Sequence, residues 1–188
     1  LYSDCQYIEQ VEQLGTAHAV LQVLPALTPG SKTLILYGDV PLIKTETLRA
    51  MLEAVNETSM AVLTASLDDA TGYGRIVRND NNEVLSIVEH KDAKTDQLAI
   101  NEINTGIMCI PQSCLAKWLP NIGNDNAQKE YYLPDVIAMS VTDGVGINTP
   151  SPQSLFEIQG VNNRLQLAEL EREFQREQAN KLMVEGAT

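Results

Sequence analysis

Asp39, in the run Tyr37-Gly38-Asp39-Val40-Pro41-Leu42, follows an apolar stretch, Thr33 to Tyr37, with the character of a strand. A carboxylate at the carboxyl end of a buried strand stands in the usual ligand crevice of an open α/β sheet. There it can hold Mg²⁺, which takes oxygen ligands and commonly bridges protein to phosphate. It can equally form only the strand-to-helix turn, where Asp is common. Upstream, Gln10-Val-Glu-Gln13-Leu14-Gly15-Thr16 offers paired amides beside a glycine. An amide presents both donor and acceptor and so can read the edge of a base, and Gly15 lets a planar group approach the backbone. A polar loop leading into a helix has the same composition, and His18 reads as a packing or capping residue of that helix.

Other candidates lie further on. Thr71-Gly72-Tyr73-Gly74 is either a surface of exposed N–H groups or a tight turn. Glu89, which ends an apolar strand, can accept hydrogen bonds from sugar hydroxyls or merely begin a loop. Asn104 places an amide inside an otherwise apolar strand, where burial demands a partner. Asn162, before the last helix, is a ligand or simply its N-cap. No Ser/His/Asp nucleophilic set and no zinc spacing is apparent.

The elements that must position these residues follow from periodicity. Thr16 to Leu27 is predicted to be a helix, ended by Pro25 and Pro29-Gly30. The continuous apolarity of Thr33 to Tyr37 predicts a strand buried on both faces of a parallel sheet. Thr45 is the expected cap of a helix with Leu48, Met51, Leu52 and Val55 on one face. Met60 to Leu67 reads as the next strand, which completes a βαβ alternation. Residues 74–78 and 84–88 form an expected hairpin about Asn79-Asp80-Asn81-Asn82. A strand from Glu102 to Ile110 and helices over Pro111–Leu119 and Leu133–Val141 come next. The final helix, Asn162 to Val184, carries Leu167, Leu170, Phe174 and Leu182 on one face, and Glu169/Arg172, Glu173/Arg176 and Glu177/Lys181 stand at spacings that support a solvated face.

The composition sets bounds. With 25 acidic and 13 basic residues the 188-residue chain carries a net charge of −12, and 44% of its residues are hydrophobic. That supports one packed α/β domain rather than disorder. The charge argues against a nucleic-acid or anionic-membrane surface, and a phosphorylated ligand would need a metal or local donors. No run approaches the ~20 apolar residues of a membrane span, and no signal peptide is evident. Cys5, Cys109 and Cys114 are odd in number and without metal spacing, so reduced thiols in a cytoplasmic protein are expected.

Taken in order, Q-V-E-Q-L-G-T-A-H-A, Y-G-D-V-P-L, T-G-Y-G-R-I, I-V-E-H-K-D-A, E-I-N-T-G-I, N-A-Q-K-E-Y-Y-L-P-D and G-V-N-N-R-L-Q-L closely resemble one family over nearly the whole chain. It is the uridyltransferase domain of the bacterial bifunctional N-acetylglucosamine-1-phosphate uridyltransferase/glucosamine-1-phosphate acetyltransferase. The resemblance implies a Rossmann-like nucleotidyltransferase fold, with a mixed, mostly parallel sheet and a small β-hairpin insertion. It implies a reaction of UTP with N-acetylglucosamine 1-phosphate that yields UDP-N-acetylglucosamine, a precursor of peptidoglycan and lipopolysaccharide, and pyrophosphate. By the same resemblance Asp39 and Asn162 match Mg²⁺ ligands, and Gln10, Gln13, Gly15 and Thr16 match the uridine-binding segment. Gly74, Glu89 and Asn104 match positions that hold the sugar phosphate, while Tyr37 and Gly38 line the cleft.

Pro134 stands where the family commonly has a hydroxyl residue. The resemblance also implies a leading strand, a Gly-rich loop with Arg and a nearby Lys, and a trimer-forming β-helix domain, none of which lies within residues 1–188. The expectation is a transferase unit over 1–161, a connecting helix over 162–188, and little turnover from these residues alone. A pyrophosphorylase for another sugar and a non-catalytic nucleotide-sugar-binding or structural piece are the alternatives. A D-x-D glycosyltransferase is disfavoured, because Pro41 stands two residues after Asp39.

Overall fold

The computed structural model describes residues 5–187. Its strands are β1 (Lys32–Ile35), β2 (Ser59–Ser66), β3 (Gly74–Arg78), β4 (Val84–Val88), β5 (Glu102–Pro111) and β6 (Gly146–Asn148). The helices are α1 (Thr16–Val23), α2 (Thr45–Glu53), α3 (Thr95–Leu98), α4 (Gln112–Trp118), α5 (Val136–Thr142) and α6 (Arg164–Val184). The strands form one mixed sheet built around β5.

On one edge β5 pairs with β2, from Ser66 opposite Glu102 to Ala61 opposite Cys109. Two strands share its other edge. β3 takes Asn104 and Ile103, opposite Gly74 and Arg75, and β1 takes Met108 to Pro111. Between these pairings, at Thr105 to Ile107, neither strand is bonded to that edge. The end of β1 and the start of β3 therefore open a split in the sheet there.

Strand direction departs from expectation. Among the described residues only β2 and β6 pair in parallel; the other ladders are antiparallel. β1 and β2 do run the same way, as a βαβ unit requires, but the antiparallel β5 is inserted between them. β1 is also not buried on both faces: its residues are half-buried or exposed, and it pairs only with β5 among the described residues. Continuous apolarity cannot by itself distinguish a central strand from one with a single bonded neighbour.

Alternation along β2 divides the core. Met60 and Val62 enter one cluster with Ile76, Met108 and Trp118. Ala61 and Leu63 enter the opposite cluster with Met51, Ile103, Ile107 and Ile158. A strand with period-two side chains and apolar residues on both phases must be covered on both faces. The hairpin forms as expected; Asn82 takes φ 65°, and Asn79 Oδ1 accepts the N–H groups of Asn81 and Glu83.

Helix ends differ in detail. α1 gives way to a 3₁₀ turn at Leu24–Ala26, because Pro25 removes an N–H donor. Lys44 rather than Thr45 is the N-cap of α2, and Thr47 and Met51 are that helix's buried residues while Leu52 is exposed. Leu133–Asp135 is a 3₁₀ turn before α5. Along α6 only Leu170 is buried; Leu167, Phe174 and Leu182 are about half exposed, so the expected apolar stripe is largely uncovered. On its charged face Glu173 pairs with Arg176 as expected, while Glu177 pairs with Lys44 at 2.8 Å instead of with Lys181. Among the described residues all cysteines are free, and no helix is long and apolar enough to cross a membrane.

Candidate functional site

The split beside β5 is organised by Tyr37. Gly106, in β5, has φ +85°, and a Cβ there would stand 2.0 Å from Tyr37 Cε2. Only a residue without a side chain lets the ring lie this close to the strand. Burial pushes the Tyr37 phenol above its ordinary range, and the carboxylates of Glu89 and Asp39 add to the shift. Tyr37 thus stands within electrostatic reach of both carboxylates.

On one side lies the Asp39 cleft, of about 610 Å³. Asp39 comes from the loop after β1 and Asn162 from the segment before α6, and both line it. Val161 N–H donates to the Asp39 carbonyl at 2.8 Å, and the place a Cβ would occupy on Gly160 is 3.8 Å from Asp39 Oδ2. Thr71, Gly72 and Tyr73 form part of the wall. Asn162 is not the helix cap: Asn163 Oδ1 accepts Gln166 N–H at 3.0 Å, and Asn162 uses its main-chain N–H to bond Gln166 Oε1 at 2.7 Å. No protein hydrogen bond or ion pair occupies the Asp39 carboxylate or the Asn162 amide among the described residues. The site around Gly38 is open, with nothing within 4 Å of a Cβ placed there.

On the other side are Gly74, Glu89 and Asn104. Gly74 faces Asn104 across the β3–β5 ladder, and a Cβ on Gly74 would lie 3.0 Å from Glu89 Oε1. Asn104 finds the partner its burial requires within its own strand, accepting Gly106 N–H at 2.9 Å. Burial raises the Glu89 carboxyl above its ordinary range, reinforced by Asp92 and Asp135. Asp135 is raised in the same way by burial and by Asp92. This half of the site is a strong acceptor surface of the kind that receives hydroxyl or amide donors.

The Gln10–Thr16 loop does not line the Asp39 cleft. It is joined to the Glu89 side through residues 131–135. Gly15, at φ +119°, packs where a Cβ would be 2.6 Å from Tyr131 O. Thr16 Oγ1 accepts Leu133 N–H at 3.0 Å, so its hydroxyl is used to hold the fold. Gln10 Nε2 donates to Gly15 O at 3.2 Å and lies 3.0 Å from His18 Nδ1. His18 is in turn 3.2 Å from Gln22 Nε2, which fits a packing role. Gln13 is exposed.

Among the described residues no three His, Cys, Asp or Glu side chains cluster as a metal cage. One carboxylate and one amide oxygen, both unengaged and sharing a cleft, nevertheless fit Mg²⁺. That ion takes hard oxygen donors, keeps several waters and is completed by substrate phosphates. A larger groove of about 680 Å³ runs between residues 41–46 and the far half of α6. Its Lys44 is already paired with Glu177, and neither Asp39 nor Asn162 lines it.

One residue of structural weight was not singled out by motif reading. Glu157 is a fully buried carboxylate between the segments that carry Asp39 and Asn162. Its signal was the Ser154-x-x-Glu157 spacing of a capping box.

Comparison with known proteins agrees with this architecture. A family model described as nucleotidyl transferase matches residues 2–145. A protein named Bifunctional protein GlmU from Saccharophagus degradans is 60% identical over 185 residues, which cover 98% of this chain and 41% of that protein. A protein of the same name from Stutzerimonas stutzeri is 55% identical, over 98% of this chain and 41% of its own length. The chain thus spans about two fifths of the curated relatives it matches. A solved nucleotidyl transferase from Methanothermobacter has a TM-score of 0.51 at 16% identity, covering 85% of this chain and 58% of that one. That likeness concerns the fold alone.

Proposed function

The chain belongs to the nucleotidyl transferase family, and on that premise we propose that it is a uridyltransferase unit acting on UTP and N-acetylglucosamine 1-phosphate. In this reading an oxygen of the sugar phosphate attacks the α-phosphorus of UTP in line. The bond from that phosphorus to the β-phosphate oxygen breaks, and UDP-N-acetylglucosamine and pyrophosphate result. The motif set read along the chain supports this substrate pair.

The observation that carries the proposal is the convergence of Asp39 and Asn162, from segments far apart in sequence, on one cleft beside Tyr37. These two side chains would hold Mg²⁺, which when bound supplies neutralisation of phosphate charge. The chain's own residues then orient the substrates. Glu89, beside Gly74, accepts from the sugar, and Tyr37 with the open backbone at Gly38 forms the floor between sugar and phosphate. Gln13, exposed on the loop that Gln10 and Gly15 shape, reads the base. No side chain acts as a covalent nucleophile, and catalysis rests on positioning and charge neutralisation. Residues 1–161 are the transferase unit in this proposal, 162–188 a connecting helix, and the protein to which they belong a cytoplasmic homotrimer.

Calorimetric titration of UDP-N-acetylglucosamine into the chain tests the reading. Binding that requires Mg²⁺, exceeds that of UDP-glucose and weakens at least about tenfold in Asp39→Ala is expected, in line with loss of a charged ligand contact. Equal binding in Mg²⁺ and in chelator, unchanged by Asp39→Ala, would contradict it.

A further inference from the structure

Glu157 is 1% exposed, lies outside the set of residues that line the cleft, and belongs to the segment that leads to Asn162 while bonding across to the segment that follows Asp39. Its carboxylate divides its bonds between them. Oε1 accepts the N–H groups of Gln153 at 2.9 Å and Ser154 at 3.1 Å, on the strand of chain that leads to Asn162. Oε2 accepts Thr47 Oγ1 at 2.5 Å and Lys44 N–H at 3.3 Å, on the segment that follows Asp39. One oxygen therefore holds each side. A buried carboxylate is costly unless its lone pairs are satisfied, and here every donor comes from one of these two segments.

We propose that Glu157 is a positioning residue that sets the separation of Asp39 and Asn162, and with it the affinity of the site for a divalent cation. The inference rests on the metal reading given above. It adds a residue that touches neither metal nor substrate and acts through the two segments it ties together. The bond from Val161 N–H to Asp39 O closes the same junction at its other end. Both of its oxygens serve as acceptors in this arrangement, each taking a main-chain N–H. In Glu157→Gln one of them becomes an NH₂ donor, and whichever way the amide turns, one segment loses its acceptor.

Titration of the full chain with Mn²⁺, in the presence of UDP-N-acetylglucosamine and followed by the spin-resonance signal of free Mn²⁺, reads the effect without turnover. Glu157→Gln is expected to weaken Mn²⁺ binding about tenfold, the scale on which outer-sphere partners of metal ligands act. Thr47→Val removes a single donor at similar volume and is expected to weaken it two- to fourfold. It decides the matter where Glu157→Gln does not fold. Trp118→Phe is the control for stability alone. It deletes the 2.6 Å bond to Asp143 in the opposite core cluster, and should lower the thermal midpoint while leaving Mn²⁺ affinity within twofold. If Glu157→Gln and Thr47→Val also lower only the midpoint, Glu157 is structural and the inference is overturned. If Asp39→Ala binds Mn²⁺ as the unaltered chain does, the metal reading itself fails, and that outcome is distinct from the first.

Discussion

Gly106→Ala is the most exacting perturbation of the site short of removing a ligand. The new methyl would stand 2.0 Å from Tyr37 Cε2 and 2.8 Å from Cζ, whereas carbon atoms in contact rest about 3.5–4.0 Å apart. The ring must therefore retreat by roughly 1.5–2 Å, away from its place between Asp39 and Glu89. The backbone adds a second cost, because an L-residue at φ +85° is strained by about 1–2 kcal/mol. Overpacking of this kind costs about 1–3 kcal/mol more, and reduced freedom of the unfolded chain offsets about 0.4–1 kcal/mol. The net expectation is a loss of about 2–4 kcal/mol in urea unfolding, a drop of about 5–15 °C in thermal midpoint for a domain of this size. Weaker nucleotide-sugar binding should accompany it. The cycle with Tyr37→Ala separates the two costs. In the Tyr37→Ala background, Gly106→Ala should cost only the backbone strain less the unfolded-chain offset, about 0–1.5 kcal/mol. A cost that is the same in both backgrounds would refute the claim that Gly106 exists to admit the tyrosine ring.

Two titratable groups give further expectations. Burial, then Asp92 and Asp135, raise the Glu89 carboxyl in the folded state, so the folded chain holds that proton more tightly than the unfolded one. Stability from this group is therefore fully present below the unfolded value of about 4.3 and is lost as pH rises through the higher, folded-state value. Glu89→Gln should raise the thermal midpoint at pH 7, with the difference vanishing below about pH 4, yet weaken sugar-phosphate binding measured by calorimetry. Glu102 shows the opposite sign. Arg78 donates to both its oxygens, at 2.7 and 2.6 Å, and holds its carboxyl below the ordinary range. That contribution is complete above about pH 4.3 and is lost as pH falls through the lower, folded-state value. Glu102→Gln should thus cost about 1–2 kcal/mol at pH 7 in urea unfolding and converge with the unaltered chain in acid.

How far the sequence foretold this structure depends on whether a feature is local. The hairpin was legible because Asn79 and Asn82 specify their turn within a few residues, through side-chain bonds and a left-handed φ. Proline effects were legible for the same reason, although Pro25 ended α1 a turn earlier than periodicity suggested. Strand pairing was not, because nothing in Thr33 to Tyr37 reveals that β5, some seventy residues on, lies antiparallel between β1 and β2. The charged face of α6 was legible in part: Glu173 pairs with Arg176 as its spacing suggests, but Glu177, with Lys181 at the right spacing, pairs with Lys44. At the candidate site, the motifs around Asp39 and Asn162 were visible, but spacing could not say which of Asn162 and Asn163 caps α6; only the bond to Gln166 separates them. Glu157 was invisible as a functional residue because its meaning lies in contacts with Lys44 and Thr47, more than a hundred residues away in sequence.

The most direct test is anomalous diffraction from crystals of the chain grown with UDP-N-acetylglucosamine and Mn²⁺. A single strong peak is expected within coordination distance of both an Asp39 carboxylate oxygen and the Asn162 amide oxygen, with a phosphate oxygen completing the sphere at about 2.0–2.3 Å. A bound nucleotide sugar with no peak between those two side chains, or with the metal held elsewhere, would contradict the account.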